Sequence, residues 1–350
     1  MLSMRIERAP LSDTANRAIL DGYNRLTKSN IPTNEFVHWV RENPAGPAWH
    51  ALLETAEGRI VGHTSVFPLR TGFGSGSVVP AKSEYSFLHE DFRKEKVEGY
   101  ENASKPPFII LLDQLFKHCQ GQGWGPIFAS TNEKNQVFTR RVGLRPVSFP
   151  LWECLLALKP RKASRLTPNL TRMQRLGLLS AGIAQSTLWS LGGRLRTPRG
   201  IREAAVDSNG FPMESERLAF FEDRESLEWR YLKGQYARVE LETKSGGYVI
   251  FKNGSVGNFL RVCQWRLRET KGIAALLSEL VRRARREGAL GVRWAVYDGE
   301  AESEELVGRL RRAGFLCARR TRTVMIHNKS ERYLEPRLWR INDSLFSFDP

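Results

Sequence analysis

The sequence predicts an α/β protein built on mixed β-sheet, in two successive parts joined by a basic, partly apolar segment. Three observations lead there. The chain has 350 residues, more than one average domain needs and comfortable for two. Its early strands read as hairpins and its later ones alternate with helices, which implies antiparallel and parallel pairing in one sheet. The same order of elements then recurs in the second half, and a repeat of that length means duplicated units rather than a short-repeat solenoid.

The first half opens with an alternating stretch, Met4-Arg5-Ile6-Glu7-Arg8, and a helix over 13–26 for which Asp13 is a candidate N-cap. A second helix runs through Glu35-Phe36-Val37-His38-Trp39-Val40 and stops at Asn43-Pro44. Residues 49–54 and 59–66 flank a turn at Glu57-Gly58, a hairpin signature. A Gly/Ser loop at 72–77 precedes a strand over 81–89. Then follow a helix over 108–120, a strand over 126–130, a helix from about Asn132 that ends at Gly143, and a strand over 152–158. In the second half, 248–252 and 258–264 flank the turn Asn253-Gly254. An amphipathic helix covers 273–287, with Ile273, Leu276, Leu277, Leu280 and Val281 at three- and four-residue spacing. A strand over 291–297, a helix over 303–313 stopped by Gly314, and a strand over 319–327 complete it. The expected divisions are 1–158, a connecting segment 159–211, and 212–350.

Composition narrows the partners. The formal net charge is +16, which favours anions: nucleic acid, lipid headgroups or phosphorylated cofactors. No nucleic-acid motif is present and aromatics are not interleaved with the arginines, so nucleic acid is not the expected ligand. Cys119, Cys154, Cys263 and Cys317 are scattered, with neither zinc spacing nor a C-x-x-C pair, so no metal is expected and a reducing compartment suits the chain. The N-terminal residues have no signal-peptide core, and cytoplasm is the expected location. Between Cys154 and Arg202 there is no Asp or Glu, and the uncharged stretch 176–193 is flanked by arginines and lysines. Residues 159–202 therefore suggest packing between the halves, docking on an anionic membrane surface such as the inner membrane face, or contact with an acidic acceptor.

Several short motifs carry chemistry. Phe36-x-x-Trp39 with Asn43-Pro44-x-Gly46 leads into the hairpin containing Ile60-Val61-Gly62. Leu88-His89-Glu90-Asp91-Phe92-Arg93 follows a strand. Asn132 precedes Gly143-Leu144, Leu227-x-Trp229-Arg230-Tyr231 opens the second half, and Ala313-Gly314-Phe315 stands near its end. On these residues the chain resembles the GNAT acyltransferase superfamily, over roughly 5–158 and 212–327, and in particular its tandem-domain relatives linked to polysaccharide or amino-sugar acylation.

The resemblance implies an acyl-CoA-dependent N-acyltransferase, with acetyl-CoA or another acyl-CoA as cofactor and a small amine or amino sugar as acceptor. A glycine-rich loop opening a helix would hold the pyrophosphate on backbone N–H groups. In the second half Glu269-Thr270-Lys271-Gly272-Ile273-Ala274 matches that loop except for its leading Glu, and Arg268, Lys271, Gly272 and Ala274 are the candidate cofactor residues. In the first half Arg93 is the candidate, but the loop match is poor and an insertion reaching Pro107 intervenes. Glu84 and His89 are candidates for the base that accepts the amine proton, with His63 on a neighbouring strand. The family's leaving-group tyrosine position holds Thr139 in one half and Leu310 in the other, leaving Tyr100 and Tyr297 as substitutes. That departure keeps a catalytically silent binding module of the same fold as the alternative function.

Overall fold

The fold is described from a computed structural model. It covers residues 1–72, 79–130, 133–166, 172, 176, 179, 180, 200–205, 219–220, 223–231, 235–242, 246–252, 259–267, 272–298, 302–327, 331–336 and 339. The Gly/Ser loop after Gly72, the turn at Asn253-Gly254, Asn132, and most of the basic segment expected to lie between the halves or on a membrane fall outside them.

In chain order the strands are β1 (Ser3–Arg8), β2 (Trp49–Glu54), β3 (Ile60–Pro68), β4 (Thr71–Gly72), β5 (Val79–Leu88), β6 (Trp124–Ala129), β7 (Arg145–Ala157), β8 (Ile201–Ala204), β9 (Ala219–Phe220), β10 (Tyr236–Leu241), β11 (Gly247–Lys252), β12 (Phe259–Leu267), β13 (Gly291–Tyr297) and β14 (Leu316–His327). The helices are α1 (Asp13–Thr27), α2 (Thr33–Arg41), α3 (Pro107–Gly121), α4 (Glu133–Arg141), α5 (Pro160–Leu166), α6 (Arg224–Arg230), α7 (Ile273–Arg286) and α8 (Ser303–Arg312). Local chemistry accounts for most of them. Ser12, not Asp13, caps α1: its Oγ accepts from Ala15 N at 3.2 Å, and Asp13 is the first-turn acid. Asp223 caps α6 through Ser226 N at 2.9 Å.

Twelve strands form one sheet, in the order β1-β2-β3-β5-β6-β14-β7-β13-β12-β11-β10-β8. It is a mixed sheet, as the pattern of hairpins and crossovers predicts. Outward from the central β14–β7 pair, each wing runs antiparallel, parallel, then three times antiparallel. The strand order is thus the same from either edge. β14, from the end of the chain, lies between β6 and β7, and β7 lies between β14 and β13, so each wing is completed by a strand of the other half. β8, from within the expected connecting segment, is the outermost strand of the second wing, paired with β10.

The centre differs from expectation in length. β7 starts at Arg145, ahead of the predicted 152, despite Pro146 and Pro150. β13 pairs with β7 only from Leu151 onward, whereas β14 pairs back to Arg145. Both prolines therefore sit where β7 has one neighbour, and an absent N–H is tolerated at such an edge.

Each face of the sheet buries its own core. α1, α2 and α6 cover one face, where Ile19, Phe36, Trp39, Phe67, Tyr85, Phe149, Trp229 and Ile326 pack together. α3 packs on the other face with Ile109, Leu112, Ile127 and Met325, and α7 and α8 cover the second wing there with Leu276, Leu280, Trp294 and Leu310. The halves also meet on the first face: His38 Nε2 lies 3.0 Å from Trp229 O, Gln235 Nε2 donates to Glu35 Oε2 at 3.2 Å, and Arg70 pairs with Glu225 at 2.7 Å.

At Gly291, β13 sits between Phe259 of β12 and Ala157 of β7, and a Cβ there would run into the Leu156 carbonyl. Because that obstacle is backbone, Gly291→Ala is expected to cost about 3 kcal/mol, the upper end for overpacking, read as a lower urea midpoint. An unchanged midpoint would contradict the close approach of these strands.

Candidate functional site

Two forks interrupt the sheet, one in each wing, where parallel strands part. In the first, β5 pairs with β6 from Val79↔Trp124 to Lys82↔Phe128 and then continues to Leu88 paired only with β3. In the second, β12 pairs with β13 from Phe259↔Gly291 to Val262↔Trp294 and continues to Leu267 paired only with β11. Beyond each fork the inner edge of the long strand has no strand beside it among the described residues.

Both long strands carry a bulge just past the fork. On β5 the register steps between Ser65↔Glu84 and His63↔Phe87, and Tyr85 adopts φ 51°. On β12 it steps between Phe251↔Val262 and Ile250↔Gln264, leaving Cys263 as the extra residue. A bulge re-aims the backbone groups around it, and such irregularities recur beside binding sites.

A buried histidine chain supports the first bulge. His63 Nδ1 lies 2.8 Å from the Tyr85 carbonyl and can only donate to it. His63 Nε2 must then accept, from His50 Nδ1 at 3.0 Å. Both side chains are fully buried, and loss of hydration holds both neutral: His63 is lowered to about 4, and His50 falls well below the ordinary range, pushed further by His63. Burial, and then Glu84, also raises the Tyr85 phenol. Behind the second bulge a different network does the same work. Tyr231 OH donates to Gln264 Oε1 at 2.6 Å, Gln264 Nε2 donates to Tyr248 OH at 2.6 Å, and the Arg238 guanidinium lies 4.0 Å from the Tyr248 ring centre.

The candidates named from the sequence divide between the two forks. Glu84 stands at the first bulge, 21 % exposed, and its carboxylate pairs with the buried Lys82 on the same strand. His89 follows the end of β5, its Nδ1 3.2 Å from Asp91. Glu84 stands at the bulge of β5 and His89 five positions on, past the end of the strand, a separation on the order of 15 Å along the chain, so the two do not converge on one reacting atom. Arg93 is exposed after the short turn Glu90–Phe92. The chain beyond it leads away from the fork to the sheet edge, where Leu2 N donates to Lys96 O at 2.7 Å and Glu98 N to Leu2 O at 2.8 Å. When it returns, α3 begins with Pro107, which lacks an N–H, and the Ile109 and Ile110 amides bond Pro106 O. The first half therefore has no short connection from strand to helix, and the first residue of its helix has no N–H to offer.

The second fork has a short connection. β12 ends at Leu267 and α7 begins at Ile273. Arg268 and Lys271 lie in the intervening stretch, outside the described residues. Gly272 caps α7 at φ +87°, a conformation that favours glycine, and a Cβ there would press on Leu241 Cδ2 at 3.0 Å. The Ala275 and Leu276 amides bond Gly272 O, while the Ile273 and Ala274 amides belong to the first turn, which has no intrahelical acceptors. Ala274 is exposed there, and no acid stands in that turn.

Topology keeps the two sets apart. β6 and β13 are antiparallel, because β14 and β7 come between them in successive antiparallel pairings. The forks therefore open toward opposite ends of the strands. Glu84, His89 and Arg93 belong to one, Gly272 and Ala274 to the other, and no single site contains both groups. Of the tyrosine substitutes, Tyr297 ends β13, one arm of the second fork, and its OH is 3.1 Å from Arg322 Nη1. Tyr100 packs against the α3 core, Leu310 is buried in the α7–α8 core, and Thr139 Oγ1 donates to Gln136 O at 3.0 Å. Among the described residues no group of three or more His, Cys, Asp or Glu is placed to hold a metal ion, and no helix is long and apolar enough to cross a membrane. Sequence reading missed His50, Gln264 and both bulges. None has a local signal, since each depends on partners far along the chain.

No family model matches the chain, and no curated protein matches it in sequence. Solved structures do match in fold. A conserved protein of unknown function from Enterococcus faecalis V583 aligns with TM-score 0.58 at 9 % identity, over 92 % of this chain and 72 % of that one. A GCN5-related N-acetyltransferase from Anabaena variabilis aligns with TM-score 0.51 at 14 % identity, over 92 % and 72 %. One from Kribbella flavida gives 0.50 at 10 % identity, over 92 % and 71 %. At these identities the likeness is one of fold: the chain has the mixed sheet of the GNAT-type structures.

The histidine chain makes stability depend on pH. Both folded pKa values lie below that of an unfolded histidine, so below about 6.5 the unfolded chain binds protons that the native state refuses. Stability is held above that pH and falls as the pH drops toward 4, by at most about 1.4 kcal/mol per pH unit for each histidine. Urea unfolding between pH 7.5 and about 5 should show this slope, and His50→Phe should flatten part of it. Equal slopes in both proteins would remove His50 as a source.

Proposed function

We propose that the protein transfers an acyl group from acyl-coenzyme A to the nitrogen of a small amine, such as an amino sugar, and that the second fork binds the acyl donor. One observation carries the choice of fork: β12 runs through a short connection into an open helix N-terminus at Gly272, whereas the corresponding chain in the first wing detours to the sheet edge. The fold likeness to GNAT-type structures supports the reaction class. The matching order of strands and bulges in the two wings supports reading the halves as duplicated units, with only one keeping the donor site.

The residues of the second fork suit an anionic thioester. The Gly272, Ile273 and Ala274 amides would hold the pyrophosphate at the positive end of α7. Arg268 and Lys271, adjacent in sequence, add positive charge. The inner edge of β12 would pair with the amide-bearing arm of the donor, which supplies an acyl carbonyl activated by its thiol leaving group. At the bulge, a backbone N–H aimed into the fork would stabilise the oxyanion that forms when the amine attacks. Tyr297, at the tip of the β13 arm, is the candidate to protonate the departing thiolate. No carboxylate lies on β12, so the ammonium proton would leave to solvent or to the acceptor's own groups.

Calorimetric titration with acetyl-CoA and longer acyl-CoAs should give saturable binding. Ala274→Asp should weaken it by about tenfold or more, since an acid there repels phosphate yet favours the helix, so that lost affinity is not lost folding. Arg93→Gln should leave binding unchanged. The reverse pattern would move the site to the first fork, and no binding would refute the enzyme. Binding without thiol release in the presence of amines would identify a silent module.

A further inference from the structure

The central pair of strands carries two cysteines in direct register, Cys154 on β7 opposite Cys317 on β14. Directly opposed residues on antiparallel strands have Cα atoms about 4.5 or 5.5 Å apart, and both values lie within the span a disulfide bridges. Their side chains also point to the same face, since paired residues do. The Cys317 S–H donates to the Phe315 carbonyl at 3.8 Å. Their surroundings differ. Cys154 is buried among the α7–α8 core, whereas Cys317 is half-buried at its margin. Arg311 of α8 lies 4.5 Å from the Trp152 ring centre. Cys154 and then the Arg311 charge lower the Cys317 pKa, whereas Cys317 and burial raise that of Cys154.

We propose that Cys317 and Cys154 form a peroxide-reactive pair, with Cys317 as the attacking sulfur and Cys154 as the resolving one, whose oxidation closes a disulfide between the two central strands. The Cys317 thiolate attacks hydrogen peroxide, forming an S–O bond and breaking the O–O bond. The released hydroxide takes a proton and leaves as water. Cys154 sulfur then attacks the Cys317 sulfenic acid, an S–S bond forms, the S–O bond breaks, and the hydroxide leaves with the Cys154 proton as a second water. Two thiols lose two electrons, which reduce one peroxide. β14 follows α8 and β7 follows α4, so the bridge would tie the last strand of each half to the other. This site does not depend on the acyl-transfer reading.

The test uses the full-length reduced protein and hydrogen peroxide. Peptide mass spectrometry should find Cys154 linked to Cys317, with two hydrogens lost per chain, and the thermal midpoint should rise and return on reduction with dithiothreitol. In Cys154→Ser, a dimedone-type probe should trap sulfenic acid on Cys317. Arg311→Gln should slow that trapping severalfold. Cys119 and Cys263 supply internal controls. Both are buried, and burial pushes Cys119 up to about 12, so alkylation should reach Cys317 first. The proposal is overturned if Cys317 stays reduced while Cys119 or Cys263 reacts, if a bridge forms between other cysteines or between molecules, or if Cys154→Ser accumulates no Cys317 sulfenic acid.

Discussion

The fold depends on the antiparallel ladder between β7 and β14, which runs from Leu155↔Leu316 to Arg145↔Ile326. Neither strand sits at the outside of its own half. Each covers an edge that the other half would leave open, and an open, long edge is costly to keep in water because its backbone groups remain unpaired. With the ladder formed, Val147, Phe149, Val324 and Ile326 close the core under α1 and α2. Cys154, Leu156 and Trp294 close the core under α7 and α8. Loss of the ladder would open both cores at once, which makes the halves one cooperative structure.

The same pairing scheme generates the forks. A strand that is parallel to its neighbour on one side and antiparallel on the other can part from the first while the second still holds it. β5 and β12 do this, and each has a bulge where the partner leaves. The bulges are supported from behind by unlike chemistry: two neutral histidines beneath Tyr85, and a Tyr–Gln–Tyr chain beneath Cys263. Buried polar chains of this kind are stable only when each donor meets an acceptor, so they fix local geometry more strictly than apolar packing would. What separates the wings is the approach to the helix. In one wing the residues beyond Arg93 strap the chain to Leu2 before α3 begins, whereas in the other only four residues separate the end of β12 from Gly272, the cap of α7.

Much of the local structure was legible in the amino-acid order. The stripe from Ile273 to Val281 predicts α7, the turn at Glu57-Gly58 predicts the β2–β3 hairpin, and Gly143 and Gly314 mark the ends of α4 and α8. These signals are local: they come from residues within one turn or one strand. The errors were local as well. Ser12 rather than Asp13 caps α1, and the prolines of β7 hid its first half.

The sequence by itself determined most of the longer elements and the order in which they come, because helix period and strand alternation act over a few residues. Only the tertiary structure decided that β14 lies between β6 and β7, that the forks of Glu84 and Gly272 open toward opposite ends of the strands, that His50 meets His63, and that Cys154 faces Cys317. Each of those facts is a pairing between segments far apart in the chain, and strand register over such distances is set by which cores close together, a property no local pattern carries.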